Sequence, residues 1–97
     1  MNSATIVSID PAFAIPGGEV VITTRGFEPS PTGDHACYIG GEKARIISVS
    51  PSRVVAVVPE VEGTPAIVYL ESDGVRSHES SLNVGERLAD GLHIVAN

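Results

Sequence analysis

Three stretches of the sequence carry side chains capable of chemistry. In Asp34-His35-Ala36-Cys37 an imidazole and a thiol stand two residues apart at the entry to an extended run, so both can share one face, as in a Cys-His nucleophile pair. The stronger reading of a lone cysteine is a small buried hydrophobe. His78-Glu79-Ser80-Ser81 supplies imidazole, carboxylate and hydroxyls, the ingredients of a hydrolase. A triad, however, needs groups converging from separate elements on an oxyanion hole, and neighbours on one strand point to opposite faces. That segment reads as a solvated strand edge. Asp10, Glu60, Glu62 and Asp73 lie near strand ends, but no Asp-x-Asp loop gathers the several oxygens that calcium requires. Zinc needs three or four ligands at close spacing, and His78 and His93 have no second cysteine beside them. No catalytic, cofactor-binding or metal-ligating residue is therefore assigned. A small hydrolase using His35 or His78 stays as a minor alternative.

The elements that would position these groups are strands. The chain has 97 residues, 42% apolar and only 4% aromatic, with 13 Val and 9 Ile against 4 Leu. One domain fits that length, with one thin core and no deep substrate cavity beside it. β-Branched side chains pack well on a pleated surface and lose rotamer freedom in a helix, so the composition favours β structure. Apolar runs of four to eight residues alternate with Gly, Pro, Asn, Asp and Ser clusters at sandwich spacing. The runs are Ala4–Asp10, Glu19–Arg25, Ala36–Gly40, Lys43–Ser50, Arg53–Val58, Ala66–Ser72 and Val75–Val84. The expected fold is all-β, a two-sheet immunoglobulin-like sandwich of about seven strands.

Pro16-Gly17-Gly18 turns the chain sharply, while Gly40-Gly41 and Asp73-Gly74 supply the positive φ of tight hairpins. Phe27–His35, with Pro29, Pro31 and Gly33, reads as a wide loop over one end of the sandwich. From Gly85 the pattern changes: Leu88, Leu92 and Val95 follow at spacings of four and three, with Gly91 weakening a helix there by about 1 kcal/mol. We divide the chain into a domain over 1–84 and a tail or linker toward a following domain over 85–97.

The order of elements resembles a known family. Ile6-Val7-Ser8-Ile9-Asp10-Pro11 is followed by Pro16-Gly17-Gly18-Glu19-Val20-Val21-Ile22-Thr23 and by Arg25-Gly26-Phe27. Then come Ile39-Gly40-Gly41, Ala44–Ser50 and Val54-Val55-Ala56-Val57-Val58-Pro59. Together they resemble the IPT/TIG domain, the early-set Ig-like fold of plexins, some transcription factors and many bacterial multi-domain proteins. The resemblance covers about residues 4–84. It implies a bacterial accessory domain, non-catalytic even where the parent protein is an enzyme, that spaces, dimerises or presents a ligand. It implies that Cys37 and Ile39 point inward, that Phe27 plugs one end of the core and that Ala44 is small for a close strand crossing. Gly91-Leu92-His93-Ile94-Val95-Ala96-Asn97 is similar to the lead-in to a gluconolactonase-like β-propeller.

Six Lys+Arg against twelve Asp+Glu give a net charge of −6, which repels phosphate backbones, so neither nucleic acid nor an anionic membrane is expected as a partner. DNA-gripping relatives use basic loops, whereas Phe27–His35 holds Glu28 and Asp34 and no cation. No basic segment precedes an apolar one at the N-terminus, and nowhere do 18 apolar residues run together, so no signal peptide or membrane span is read. The surplus is in hydrophobicity. If Val20, Ile22, Val54, Ala56, Val58, Ala66, Val68 and Leu70 face the core, alternation turns Val21, Val55 and Val57 outward on one sheet. The same parity turns Tyr38, Ile67 and Tyr69 outward on the other. These six are the interface candidates. The function expected is protein–protein or interdomain docking, including self-association, within a larger bacterial protein. The alternative is carbohydrate binding with Tyr38 or Tyr69 as a stacking surface.

Overall fold

In a computed structural model of the chain, residues 4–61 and 65–85 are described. They contain no helix. Nine strands follow in order: β1 Thr5–Asp10, β2 Phe13–Ala14, β3 Glu19–Arg25, β4 His35–Ile39, β5 Glu42–Val49, β6 Arg53–Val57, β7 Ala66–Ser72, β8 Val75–Arg76 and β9 Ser80–Val84. Hydrogen bonding runs β1-β3-β6-β5-β4-β7-β9-β2, with β8 on β7. One layer is β1, β3, β6 and the second half of β5, and the other is β4, β7, β8, β9 and β2. β5 belongs to both, because Glu42–Ala44 pair with β4 and Arg45–Val49 with β6.

The seven strands of five or more residues match the seven apolar runs to within a residue or two, except the last. Val75–Val84 does not form one strand; it breaks into β8 and β9 around Ser77. Ser77 is buried. Its N–H donates to the Leu70 carbonyl at 2.8 Å, while its Oγ accepts from the Leu70 N–H at 2.9 Å and donates to the His78 carbonyl. A side chain therefore continues the ladder where the backbone turns away. Ser77→Ala leaves a buried N–H without its acceptor, at a cost of about 1–3 kcal/mol. The urea midpoint is expected to fall at constant slope. An unchanged midpoint would show another acceptor for Leu70.

The turns follow their chemistry. Ile15-Pro16-Gly17-Gly18 closes with a 2.9 Å hydrogen bond from the Gly18 N–H to the Ile15 carbonyl, Gly17 having φ 90°, as a type II turn with proline second and glycine third requires. Gly40 and Gly41, at φ 63° and 86°, and Asp73 and Gly74, at 51° and 83°, are pairs with the twist that right-handed hairpins need. The wide loop is tied down: the Ser30 hydroxyl pairs with Thr32, and the Ser72 hydroxyl donates to the Glu28 carbonyl. Between the layers lie Val20, Ile22, Phe27, Cys37, Ile39, Val54, Ala56, Val58, Val68, Leu70 and Leu82, all 4% exposed or less. Every residue assigned inward by alternation is among the buried ones. The tail from residue 86, with its propeller-like segment, and Glu62 lie outside the described residues.

Candidate functional site

The chemistry-bearing groups do not assemble into a reaction site. Cys37 is fully buried opposite Ala44 and Leu70. Burial in apolar surroundings disfavours the thiolate and pushes its pKa up to about 12, so at neutral pH it is an inert hydrophobe. His35 is half-buried beside it, with Nδ1 buried and without a partner among the described residues. His78 is exposed, and its N–H is fixed to the Ala4 carbonyl at 2.9 Å. Asp10, Glu60 and Asp73 are exposed. Among the described residues no three His, Cys, Asp or Glu side chains gather where they could hold a metal ion.

An open groove lies under the wide loop, lined by Phe27, Glu28, Pro29, Pro31, Asp73 and Val75. Its floor is the buried Phe27 ring that closes this end of the core. Among the described residues, Glu28 and Asp73 are the ionisable groups that line it.

The outward apolar residues fall into two groups. On the β4–β7 face, Tyr38 and Tyr69 are direct cross-strand partners whose rings stack with centroids 5.0 Å apart and planes 20° from parallel. The Arg76 guanidinium carbon lies 4.2 Å from the Tyr69 centroid. Tyr38 stands on the β4 side of β7 and Arg76 on the β8 side, so the two approach Tyr69 from opposite sides and sandwich its ring. A sugar can therefore stack only on the far side of Tyr38. Ile67, 44% exposed, stands on the same face, opposite Ser81.

On the β1-β3-β6-β5 face, Val21 pairs with Val55, and Val57 is two residues further along β6. All three are half-buried. Two residues join this surface by a route that alternation does not foresee. The register shifts between Ile46 and Ser48 on β5, which leaves Ile47 as an extra residue sharing Val55 with Ser48. The same happens at Val7 on β1, opposite Thr23. A bulge sets two residues against one and breaks the strict in–out pattern. Ile47 and Val7 are consequently 48% and 50% exposed, the two most exposed large apolar side chains of the described residues. No feature of the sequence marks these bulges. Both bulges lie on the outer strands of this layer, β1 and β5, where they interrupt the regular edge and oppose strand-by-strand addition.

Charge on this face is divided. One row runs Asp10–Val21–Val55–Ser48, and the next runs Glu19–Val57–Arg45. Acids therefore lie on the β1 and β3 side of the valines, and Arg45 on the β5 side. Arg53 stands two residues before Val55 on β6, opposite Thr23, and Arg25 stands beyond the valines at the far end of β3. All five charged residues are exposed.

Comparison with known proteins places this architecture. The family model for the IPT/TIG domain matches residues 4–85. Among solved structures, the chain superposes on Gamma-CGTase from Alkalophilic bacillus clarkii with a TM-score of 0.75 and 24% identity, covering 84% of this chain and 12% of that one. An auxiliary nutrient binding protein from Bacteroides ovatus aligns at 0.66 and 17%, covering 87% of this chain and 21% of that one. The TIG domain of human Nuclear factor of activated T-cells, cytoplasmic 4 aligns at 0.62 and 17%, covering 84% and 89%. No curated protein matches the chain by sequence. The chain thus spans a small part of the first two proteins and nearly all of the isolated domain. With an Ig-like arrangement of strands, a thiol sealed in the core and a family match that spans all the described residues, the chain belongs to the IPT/TIG domain family of non-catalytic Ig-like modules.

Proposed function

We propose that this domain is an interaction module of a larger bacterial protein, that it docks through the Val21–Val55–Val57–Ile47 face, and that the partner is a second copy of the same face. The observation that carries this reading is the division of charge around the valines. Two such faces related by a two-fold axis along β6 bring Val55 and Val57 onto their own counterparts and Val21 onto Ile47. The same operation sets Glu19 of one copy against Arg45 of the other. Sheets packed in this aligned way stay about 10 Å apart with strands within about 30°. The two-fold makes each off-axis pairing twice, while the residues on the axis, Val55, Val57 and the exposed Arg53, meet their own counterparts once.

The size of the face fixes the strength. Four strands about 4.8 Å apart and about six residues long, at about 3.3 Å each, make a surface of about 400 Å². A standard interface buries about 800 Å² per partner. A face of this size belongs with weak, transient interfaces, so association of the isolated domain is expected only at high concentration. In a larger protein, tethering raises the local concentration into that range. That the chain covers only 12% and 21% of two similar proteins supports the setting.

Sedimentation velocity between about 10 µM and 1 mM tests the proposal. Wild type is expected to shift toward dimer, and Val55→Asp to stay monomeric with its fold intact. Glu19→Arg and Arg45→Glu each weaken association, while the double exchange restores it, because the two charges meet across the axis. A monomer at 1 mM, a Val55→Asp variant that still dimerises, or a double exchange without rescue overturns the assignment. Carbohydrate binding is the weaker reading, because Arg76 and Tyr38 already occupy both faces of Tyr69; silence in calorimetry with sugars is the expected result.

A further inference from the structure

The groove under the wide loop lies at one end of the sandwich, beyond the end of β3, and both of its walls are held in place before anything binds. On the loop side, the Gly33 N–H donates to the Ser30 carbonyl at 3.0 Å, the Ser30 hydroxyl pairs with Thr32, and the Ser72 hydroxyl donates to the Glu28 carbonyl. Pro29 and Pro31 add two residues whose φ is fixed by their own rings. On the hairpin side, the Asp73 N–H donates to the Asp34 carbonyl at 2.9 Å, and Asp73 and Gly74 hold the left-handed conformations of a tight turn. Walls fixed in this way need little ordering when a ligand arrives.

The lining divides by chemistry. Phe27, Pro29, Pro31 and Val75 are apolar, and Val75 is 37% exposed. Glu28 and Asp73 are both exposed acids. Because Ser72 bonds the Glu28 carbonyl, the two acids stand on neighbouring stretches of backbone. The cations closest to them in sequence are turned elsewhere: Arg76 lies on the Tyr69 ring, and Arg25 points outward at the end of β3. Two like charges beside one apolar slot thus favour a cation from outside. The volume, about 600 Å³, suits a few side chains and not a whole domain. We propose that this groove receives an extended segment of a partner protein in which a Lys or Arg is flanked by apolar side chains. The cationic head lies by Glu28 and Asp73, and the apolar side chains lie against Phe27, Pro29 and Val75. A long cationic side chain suits both parts, because its methylene stem covers apolar surface while its head stays in water. The same two acids repel an anionic segment. The inference is independent of the valine face and of self-association.

The full 97-residue chain is used for the test, with end-capped hexapeptides that each carry one Lys or Arg among Leu, Val and Pro. Added up to about 2 mM, which reaches the weak end of such sites, members of this set are expected to shift the amides of Phe27, Glu28, Asp73 and Val75 in NMR spectra and to leave that of Val55 unmoved. Matched peptides with Glu in place of the cation, or Ser in place of the apolar residues, give no shift. Combining Glu28→Gln with Asp73→Asn is expected to weaken binding about tenfold and to remove its dependence on salt. Asparagine tolerates the left-handed backbone at position 73, so the fold is kept. Val75→Ser, at an exposed position, weakens binding without changing the salt dependence. Silence from every cationic peptide, equal binding of the Glu peptides, shifts centred on Val55, or full affinity in the charge-neutral variant overturns the proposal.

Discussion

Leu70→Ala is expected to remove about 2–5 kcal/mol of stability, and Ile67→Ala, three residues earlier on the same strand, less than about 1 kcal/mol. Leu70 is fully buried opposite Cys37, whereas Ile67 is 44% exposed. Alanine at 70 forfeits the transfer energy of the lost methyl groups and leaves a cavity that strands held on both sides cannot collapse to fill. β7 is held in that way, by β4 on one side and by β8 and β9 on the other. A domain of this size has about 5–10 kcal/mol in total, so the loss takes a large share. At about 4–8 °C per kcal/mol the melting temperature falls by roughly 10–30 °C. Thermal unfolding of the two variants side by side measures the difference. Equal costs at 67 and 70 would mean that β7 does not alternate between core and solvent, and with it would go the outward placement of Ile67 and Tyr69.

That alternation was legible in the sequence because the punctuation is strict. Gly40-Gly41 and Asp73-Gly74 fix two hairpins, and with the hairpin register set, period two assigns each side chain of β4, β5 and β7 to a face. The same logic placed Val21, Val55 and Val57 together. It failed wherever one residue breaks the period. Ile47 and Val7 are extra residues in bulges, and nothing in their neighbours' chemistry distinguishes them from residues in register. Strand β2 escaped because two residues pairing in parallel with β9 carry no periodicity. Val75–Val84 read as one strand because Ser77 supplies by its side chain what a backbone group supplies elsewhere. The placement of Arg76 on Tyr69 was equally hidden, since it depends on the diagonal between two strands. Local signals thus give the layers and the faces. The charge pattern across a face needs the cross-strand register.

Cys37→Ala is expected to reverse in sign between neutral and alkaline pH. Its folded-state pKa is raised from 9.0 to about 12 by burial, so at pH 7 the thiol is protonated in both states and contributes no pH dependence. Above pH 9 the unfolded chain releases the proton while the folded chain keeps it. The native state then binds more protons, and stability falls with rising pH at about 1.4 kcal/mol per unit until the folded thiol itself ionises near pH 12. Alanine carries no such penalty. At pH 7 the substitution loses a buried sulfur atom and costs about 1 kcal/mol. Dividing that cost by the slope places the crossing near pH 10, above which Cys37→Ala is the more stable protein. Every other ionisable group is the same in both proteins, so the difference between the two urea-unfolding curves isolates the thiol. The same burial predicts that iodoacetamide at pH 8 leaves the folded protein unmodified and alkylates it in urea. Parallel curves up to pH 11, or rapid alkylation without denaturant, would place Cys37 within reach of solvent and return the Cys37–His35 pair to consideration as a reactive site.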